Sequence, residues 1–388
     1  MESTDKVKQP SILNTACLMF SDGNVFYGKG FGIEGIVTGE LCFNTSMTGY
    51  QEIITDPSYA GQIIAFTFPH IGNTGINCED HEHQRISEEG IIVKSIPTEP
   101  SNWRSIKSLD NWLREQNKIG IGHIDTRRLT QIIRKRGAQN IAISYNKRGI
   151  FDLPRLQEEA INFKGLLNED LAKNVTTQKA FNWDEDLWKG NKSSQRNLNN
   201  NNKNVIAIDY GAKNNILRCL VSVGCNVTVM PASTSAEEIF DLNPDGIFLS
   251  NGPGDPAATG KYAVPMIKTI LDNSKIPIFG ICLGHQLLAI ALGAKTLKMK
   301  HGHHGANHPV KDLDTGKVEI TSMNHGFAVD TQSLPENVNE THISLFDGSN
   351  CGIELADRPV FSVQHHPEAS PGPQDSFYLF ERFAAAIS

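Results

Sequence analysis

The sequence predicts an α/β protein in two units. A C-terminal doubly wound, mostly parallel sheet is expected over residues 205–388, behind an N-terminal mixed α and β domain over residues 1–188. Three observations carry this. After residue 205, short continuous apolar runs alternate with helical stretches, as in a parallel sheet buried on both faces. Before residue 188, strand-like runs are broken by frequent Gly and Asn turns. Between the two, residues 189–204 read KGNKSSQRNLNNNNKN. That stretch has hardly an apolar side chain to offset the entropy of ordering, and it reads as a linker.

In the second unit the strands are 205–210 (VIAIDY), 226–230 (NVTVM), 246–250 (GIFLS) and 276–281 (IPIFGI). Helical spacing fills the gaps at 214–223, 235–242 and 262–273, with a further helix at 285–293. A β-α-β rhythm with right-handed crossovers gives the doubly wound arrangement. In the first unit, 16–20 and 63–67 read as strands and 126–136 (TRRLTQIIRKR) as a basic helix.

Composition narrows the function. With 388 residues, two to three domains are expected. Lys plus Arg is 36 against 43 Asp plus Glu, a net charge of −7, which argues against a general phosphate-backbone binder. No apolar run approaches the roughly 20 residues needed to span a bilayer. The opening MESTDKVKQPSILNTA has neither an apolar signal core nor an Arg-rich transit pattern. Seven cysteines at scattered spacings make no disulfide framework, so a reducing, cytoplasmic setting is expected.

One cysteine stands apart. Gly280-Ile281-Cys282-Leu283-Gly284 lies where an apolar strand meets a helix, the pattern of a nucleophile elbow. Glycines permit the tight turn, and the helix N-terminus offers unpaired N–H groups, beginning with that of Leu283, to a developing oxyanion. A buried core cysteine is the alternative, and the flanking glycines count against it.

A thiol nucleophile needs a base, and the base an orienting group. In 360–368 (VFSVQHHPE), an extended chain places His366 and Glu368 on one side and His365 on the other. His366 is therefore the candidate base and Glu368 its partner. A second glycine turn, Asn251-Gly252-Pro253-Gly254-Asp255-Pro256, follows the third strand, where doubly wound folds bind ligands. It lacks the Gly-Lys-Ser/Thr of a phosphate loop and suits a second oxyanion donor.

NGPGDP, GICLGHQ and HPEAS, in that order, closely resemble the class I, triad-type glutamine amidotransferase domain. The first half carries FNTSMTGYQE, TDPSY, PHIGN, IDTRR and GAQN, which resemble the small, glutaminase chain of carbamoyl-phosphate synthase. The resemblance implies hydrolysis of L-glutamine by Cys282, His366 and Glu368 through a thioester. It also implies oxyanion donors at Leu283 and Gly254, and a glutamine pocket formed by Ser46, Gly252, Gln286, Asn324, Gly326 and Phe327. Asn324-His325-Gly326-Phe327 is expected as a glycine turn. The implied partner is a large synthetase subunit that carries ATP and a divalent cation, with no cofactor on this chain. The implied role is carbamoyl phosphate supply for arginine and pyrimidine synthesis. Alternatives are the glutaminase of another amidotransferase, whose relatives lack FNTSMTGYQE and IDTRR, and a non-catalytic assembly subunit.

The sequence departs from the family pattern at His365, where Gly is usual, and at His301 and Ala306, where Phe and Gly are usual. His301, His303, His304 and His308 invite a zinc reading. The resemblance places a structural turn there without metal. Cys219 and Cys225 read as core or loop, His81-Glu82-His83 as solvated surface, and the 126–136 helix as solvated or partner-facing rather than nucleic-acid-binding.

Overall fold

The computed structural model describes residues 14–83, 86–188 and 203–387. The first unit runs β1 (Ala16–Phe20), β2 (Val25–Gly32), β3 (Gly35–Asn44), α1 (Tyr50–Thr55), β4 (Gln62–Phe66) and β5 (Gly90–Ile92). It continues with α2 (Leu109–Glu115), β6 (Ile119–Gly122), α3 (Thr126–Arg136), β7 (Gln139–Tyr145) and α4 (Leu153–Asn162). The strands close into a barrel in the order β1-β2-β6-β5-β4-β3-β7, and β7 pairs back onto β1. Period-two alternation explains the packing. Ala16, Leu18 and Phe20 of β1 join one apolar cluster with Leu41 and Ile63, while Cys17 and Met19 pack against Leu156 and Ala160 of α4. Closure leaves no unpaired strand edge. Helix α3 has the expected bounds. Asp125 caps it by accepting from Arg128 N, it buries Leu129 and Ile133, and its arginines are exposed.

The second unit begins before the Asn-rich segment. After α5 (Ala172–Val175), β8 (Phe181–Trp183) already pairs with the second sheet, and Ala172 lies in that sheet's core. Residues 189–202 of the expected linker lie outside the described residues. Its last two, Lys203 and Asn204, are instead the first residues of β9, paired with Cys225 and Asn226.

The remaining elements are β9 (Lys203–Asp209), α6 (Asn214–Ser222), β10 (Cys225–Pro231), α7 (Ala236–Asp241), β11 (Gly246–Leu249), α8 (Pro256–Asn273), β12 (Ile278–Ile281) and α9 (Leu283–Leu292). There follow β13 (Thr296–Asp312), β14 (Val318–Val329), β15 (Val338–Ser344), β16 (Asn350–Leu355), β17 (Val360–Val363) and α10 (Tyr378–Ala386). The sheet order is β14-β13-β15-β16-β17-β12-β11-β9-β10-β8. Its centre, β10-β9-β11-β12-β17, is parallel and covered on both faces, as expected of a doubly wound sheet. Val205 and Ala207 of β9 pack with α6 and α10, whereas Ile206 and Ile208 pack with α8 and α9. Strands β13 to β16 extend this centre as an antiparallel wing.

Candidate active site

The candidate nucleophile is set by local geometry. Cys282 joins β12 to α9 at φ 54° and ψ −104°, a strained backbone held by its surroundings. The flanking glycines are sterically required. A Cβ on Gly284 would lie 2.1 Å from the Leu249 carbonyl oxygen, and one on Gly280 would lie 2.9 Å from Gly284 backbone. Cys282 N donates to Val363 O at 2.9 Å, and the sulfur lies 3.5 Å from Asn324 O. Among the described residues, the N–H groups of Leu283 and Gly254 donate to no protein acceptor. Gly254 takes φ +93°, and its loop approaches so closely that a Cβ would meet Glu169 O at 2.7 Å.

Behind the cysteine lies a buried charged chain. His366 Nδ1 donates to Glu368 Oε1 at 2.7 Å, so the free ring position, Nε2, is left for the sulfur. The same Oε1 accepts from Lys213 Nζ at 2.8 Å, and Lys213 also donates to Ala369 O at 2.9 Å. Burial opposes the imidazolium, yet the Glu368 carboxylate and contact with Cys282 outweigh it and raise the His366 pKa. Burial likewise opposes the Glu368 carboxylate, but Lys213 and His366 hold its pKa below the usual range. Burial works against the Lys213 ammonium too, and Glu368, Glu82 and Asp56 together raise its pKa. Net charge is thereby spread over the group rather than left isolated.

The structure brings His366, and not His365, to Glu368, for a reason partly different from strand alternation. Strand β17 ends at Val363, and His366 and Glu368 sit in the turn beyond it. His365 is fully buried, with its ring 5.6 Å from His342 and neither nitrogen paired.

Cys282, Gly252, Gly254, Gln286, Asn324 and Phe327 line one cavity of about 30 Å³, together with Gly326. Ser46 lines an adjoining cavity of about 20 Å³ with Lys213 and His366, and Asn324 borders both. Asn324 is committed on both sides: its Nδ2 donates to Asp56 at 2.9 Å, and its Oδ1 accepts from His304 Nδ1 at 2.8 Å. Asn324-His325-Gly326-Phe327 is not a turn. It lies within β14, with Asn324 opposite His304 in β13. The histidine-rich stretch is likewise a strand with two register shifts, because its residues ladder against β14 instead of reversing direction.

Those histidines are engaged within the fold. His303 pairs with Asp347 at 3.0 Å and His304 with Asn324, while His308 packs its ring 5.2 Å from His303. Among the described residues no cluster of His, Cys, Asp or Glu could hold a metal ion. The solvated reading of residues 81–83 fails for Glu82, which is 1% exposed. Its carboxylate accepts from Asn215 N at 2.9 Å and from the Ser370 hydroxyl, tying the barrel unit to the second sheet. Sequence reasoning also missed Lys213 and Asp56. Lys213 had one usable signal, its place just past the carboxyl end of a parallel strand. Asp56 had only its place in the TDPSY motif, because its partner Asn324 comes from the other unit.

Family models match in the same two parts. "Carbamoyl-phosphate synthase small chain, CPSase domain" covers residues 18–143, and "Glutamine amidotransferase class-I" covers residues 206–386. The carbamoyl phosphate synthase small chain of Ruegeria pomeroyi is 64% identical over 96% of this chain and 96% of its own length. The protein of that name from Bradyrhizobium diazoefficiens is 59% identical over 95% of this chain and 94% of its own. That of Zymomonas mobilis is 56% identical, covering 96% and 99%. With this likeness running through both units and the elbow cysteine, the chain belongs to the carbamoyl phosphate synthase small chain family.

Proposed function

We propose that this chain hydrolyses L-glutamine and delivers the ammonia to a large synthetase subunit that makes carbamoyl phosphate from bicarbonate. The observation that carries it is Cys282, on a strained elbow at a helix N-terminus, beside the buried His366–Glu368 pair. Cys282 gives its proton to His366, and the sulfur attacks the side-chain amide carbon. The oxyanion falls to the unspent N–H groups of Leu283 and Gly254. Protonated His366 then passes its proton to the leaving nitrogen, releasing ammonia and a γ-glutamyl thioester. Water, deprotonated by the same imidazole, cleaves the thioester to glutamate. Glu368 keeps the ring in the tautomer that offers Nε2, and Lys213 holds Glu368 ionised. Glycine at 252 lets that loop lie against Tyr210, where a Cβ would meet Tyr210 O at 2.2 Å.

The Cys282 cavity has room for only about two waters, so glutamine enters as the pocket walls part. One wall belongs to the barrel unit and the other to the second sheet, which gives a docked partner a mechanical route to the site. Ser46, Gln286, Asn324, Gly326 and Phe327 are the substrate-facing groups of this reading. ATP and divalent cation sites are assigned to the large subunit, with none on this chain. The work is that of a cytoplasmic enzyme feeding arginine and pyrimidine synthesis.

The test is Cys282→Ser in the reconstituted complex. Glutamine-dependent synthesis should fall by several orders of magnitude while ammonia-dependent synthesis persists. Substantial glutaminase in the variant would sink the assignment.

A further inference from the structure

We propose that glutamine reaches Cys282 from a large cavity between the two units, and that Leu166 is the side chain that sets the size of what passes. The proposal rests on the glutaminase reading above and deepens it. The Cys282 cavity, at about 30 Å³, is too small for the substrate, so an approach must open into it. Among the described residues, a cavity of about 1040 Å³ lies where the 163–178 connection crosses from the barrel to the second sheet. That volume is at the top of the range that small ligands occupy. It reaches Thr38 and Gly61 of the barrel unit on one side, and Asp209 and Leu217 of the second unit on the other. Leu166 is the one residue that lines both cavities.

The partition between them is thin. Gly61 borders the large cavity and the next residue, Gln62, borders the small one. Gly254 borders the small cavity, and a Cβ on it would lie 2.9 Å from the backbone nitrogen of Leu171, which borders the large one. Leu166 fills the gap: it is buried, and a Cβ on Gly61 would lie 3.0 Å from its Cδ2. The chain that carries Leu166 is pinned only at its ends. Asn140 Nδ2 donates to Phe163 O at 2.7 Å, and Asn168 N donates to Asp255 Oδ2 at 2.8 Å. Among the described residues, the N–H groups of residues 164–167 donate to no protein acceptor. A short bridge without such bonds, held by one apolar side chain, is the kind of segment that opens locally. The other walls are tied in place. Gln286 is bonded to Phe327 and Gln364, Asn324 to Asp56 and His304, and the Gly252 backbone lies against Tyr210. Rotation of the Leu166 side chain therefore joins the two cavities without breaking a hydrogen bond.

The experiment alkylates Cys282 in the full chain with two thiol reagents of different size, iodoacetamide and N-phenylmaleimide, and follows the Cys282 peptide by mass. Exposed Cys78 reports the intrinsic rate of each reagent. Leu166→Ala should speed N-phenylmaleimide at Cys282 about tenfold or more, and iodoacetamide much less. Leu166→Phe should slow N-phenylmaleimide and lower glutamine kcat/KM in the complex by about tenfold, with ammonia-dependent synthesis kept. Unchanged Cys282 rates in both variants overturn the proposal. So does an equal change for the two reagents, which would mark a general loosening of the fold. Absence of glutaminase in the wild-type complex, with size-dependent alkylation intact, would instead overturn the functional reading alone.

Discussion

At the scale of single residues, adjacent histidines have opposite fates. His366 is drawn into the charged chain by Glu368, while His365 is buried among rings with both nitrogens unpaired. An unpaired buried polar group costs about 1–3 kcal/mol, and an apolar side chain of similar shape recovers it. His365→Leu is therefore expected to match or exceed wild type in thermal stability and to keep glutaminase within severalfold. His366→Asn should keep the fold and lose thioester turnover by orders of magnitude. Parallel melting curves and glutaminase rates check both. If His365→Leu is inactive while His366→Asn works, the base has been misassigned. His366 and Cys282 were legible in the sequence because Glu368 lies two residues from His366 and glycines flank Cys282 at its turn. Lys213, whose ammonium meets Glu368 across 155 residues, was not.

At the scale of elements, the elbow depends on strand β12 and helix α9 approaching β11 more closely than any side chain permits. Gly284→Ala would drive a Cβ against the Leu249 carbonyl. A backbone oxygen cannot rotate away, so the expected loss is at least about 2 kcal/mol, with Cys282 displaced. Denaturant midpoints and Cys282 alkylation rates measure the two effects separately, and a fully stable, fully reactive variant would refute the steric reading. The parallel strands were legible because burial on both faces writes continuous apolar runs. The antiparallel wing was not. β13 carries polar and histidine residues through a 17-residue strand with register shifts, so neither alternation nor an apolar run marks it.

At the scale of the whole molecule, the second unit carries histidines held neutral by burial. Burial pushes His285 down to about 3, His304 to about 4 and His308 to about 3, and it lowers His325 and His365 as well. Because these folded-state values lie below the unfolded 6.5, nothing is lost above pH 6.5. Below it the unfolded chain binds protons that the folded chain refuses, and stability falls progressively toward pH 3–4. His366 runs the other way, its raised value favouring the fold below pH 6.5, but one group does not offset five. Urea midpoints should thus drop steeply between pH 6.5 and 4, by about 1.4 kcal/mol per pH unit for each proton taken up. A flat profile would refute neutral burial. The units are also joined by Asn324 to Asp56, Asn251 to Ser58, and Lys298 to Glu40, with β8 from the first part of the chain completing the second sheet. Nicking between Asn199 and Asn202 should leave both pieces co-eluting on a sizing column with glutaminase retained, and separation without denaturant would contradict that interlock. The sequence by itself determined the doubly wound centre, the cysteine on its elbow and the His–Glu pair, since each is written in contiguous patterns of burial, glycine and spacing. Only the tertiary structure decided the barrel closure, the antiparallel wing and the Lys213 support, since each depends on chain segments far apart in sequence meeting in space.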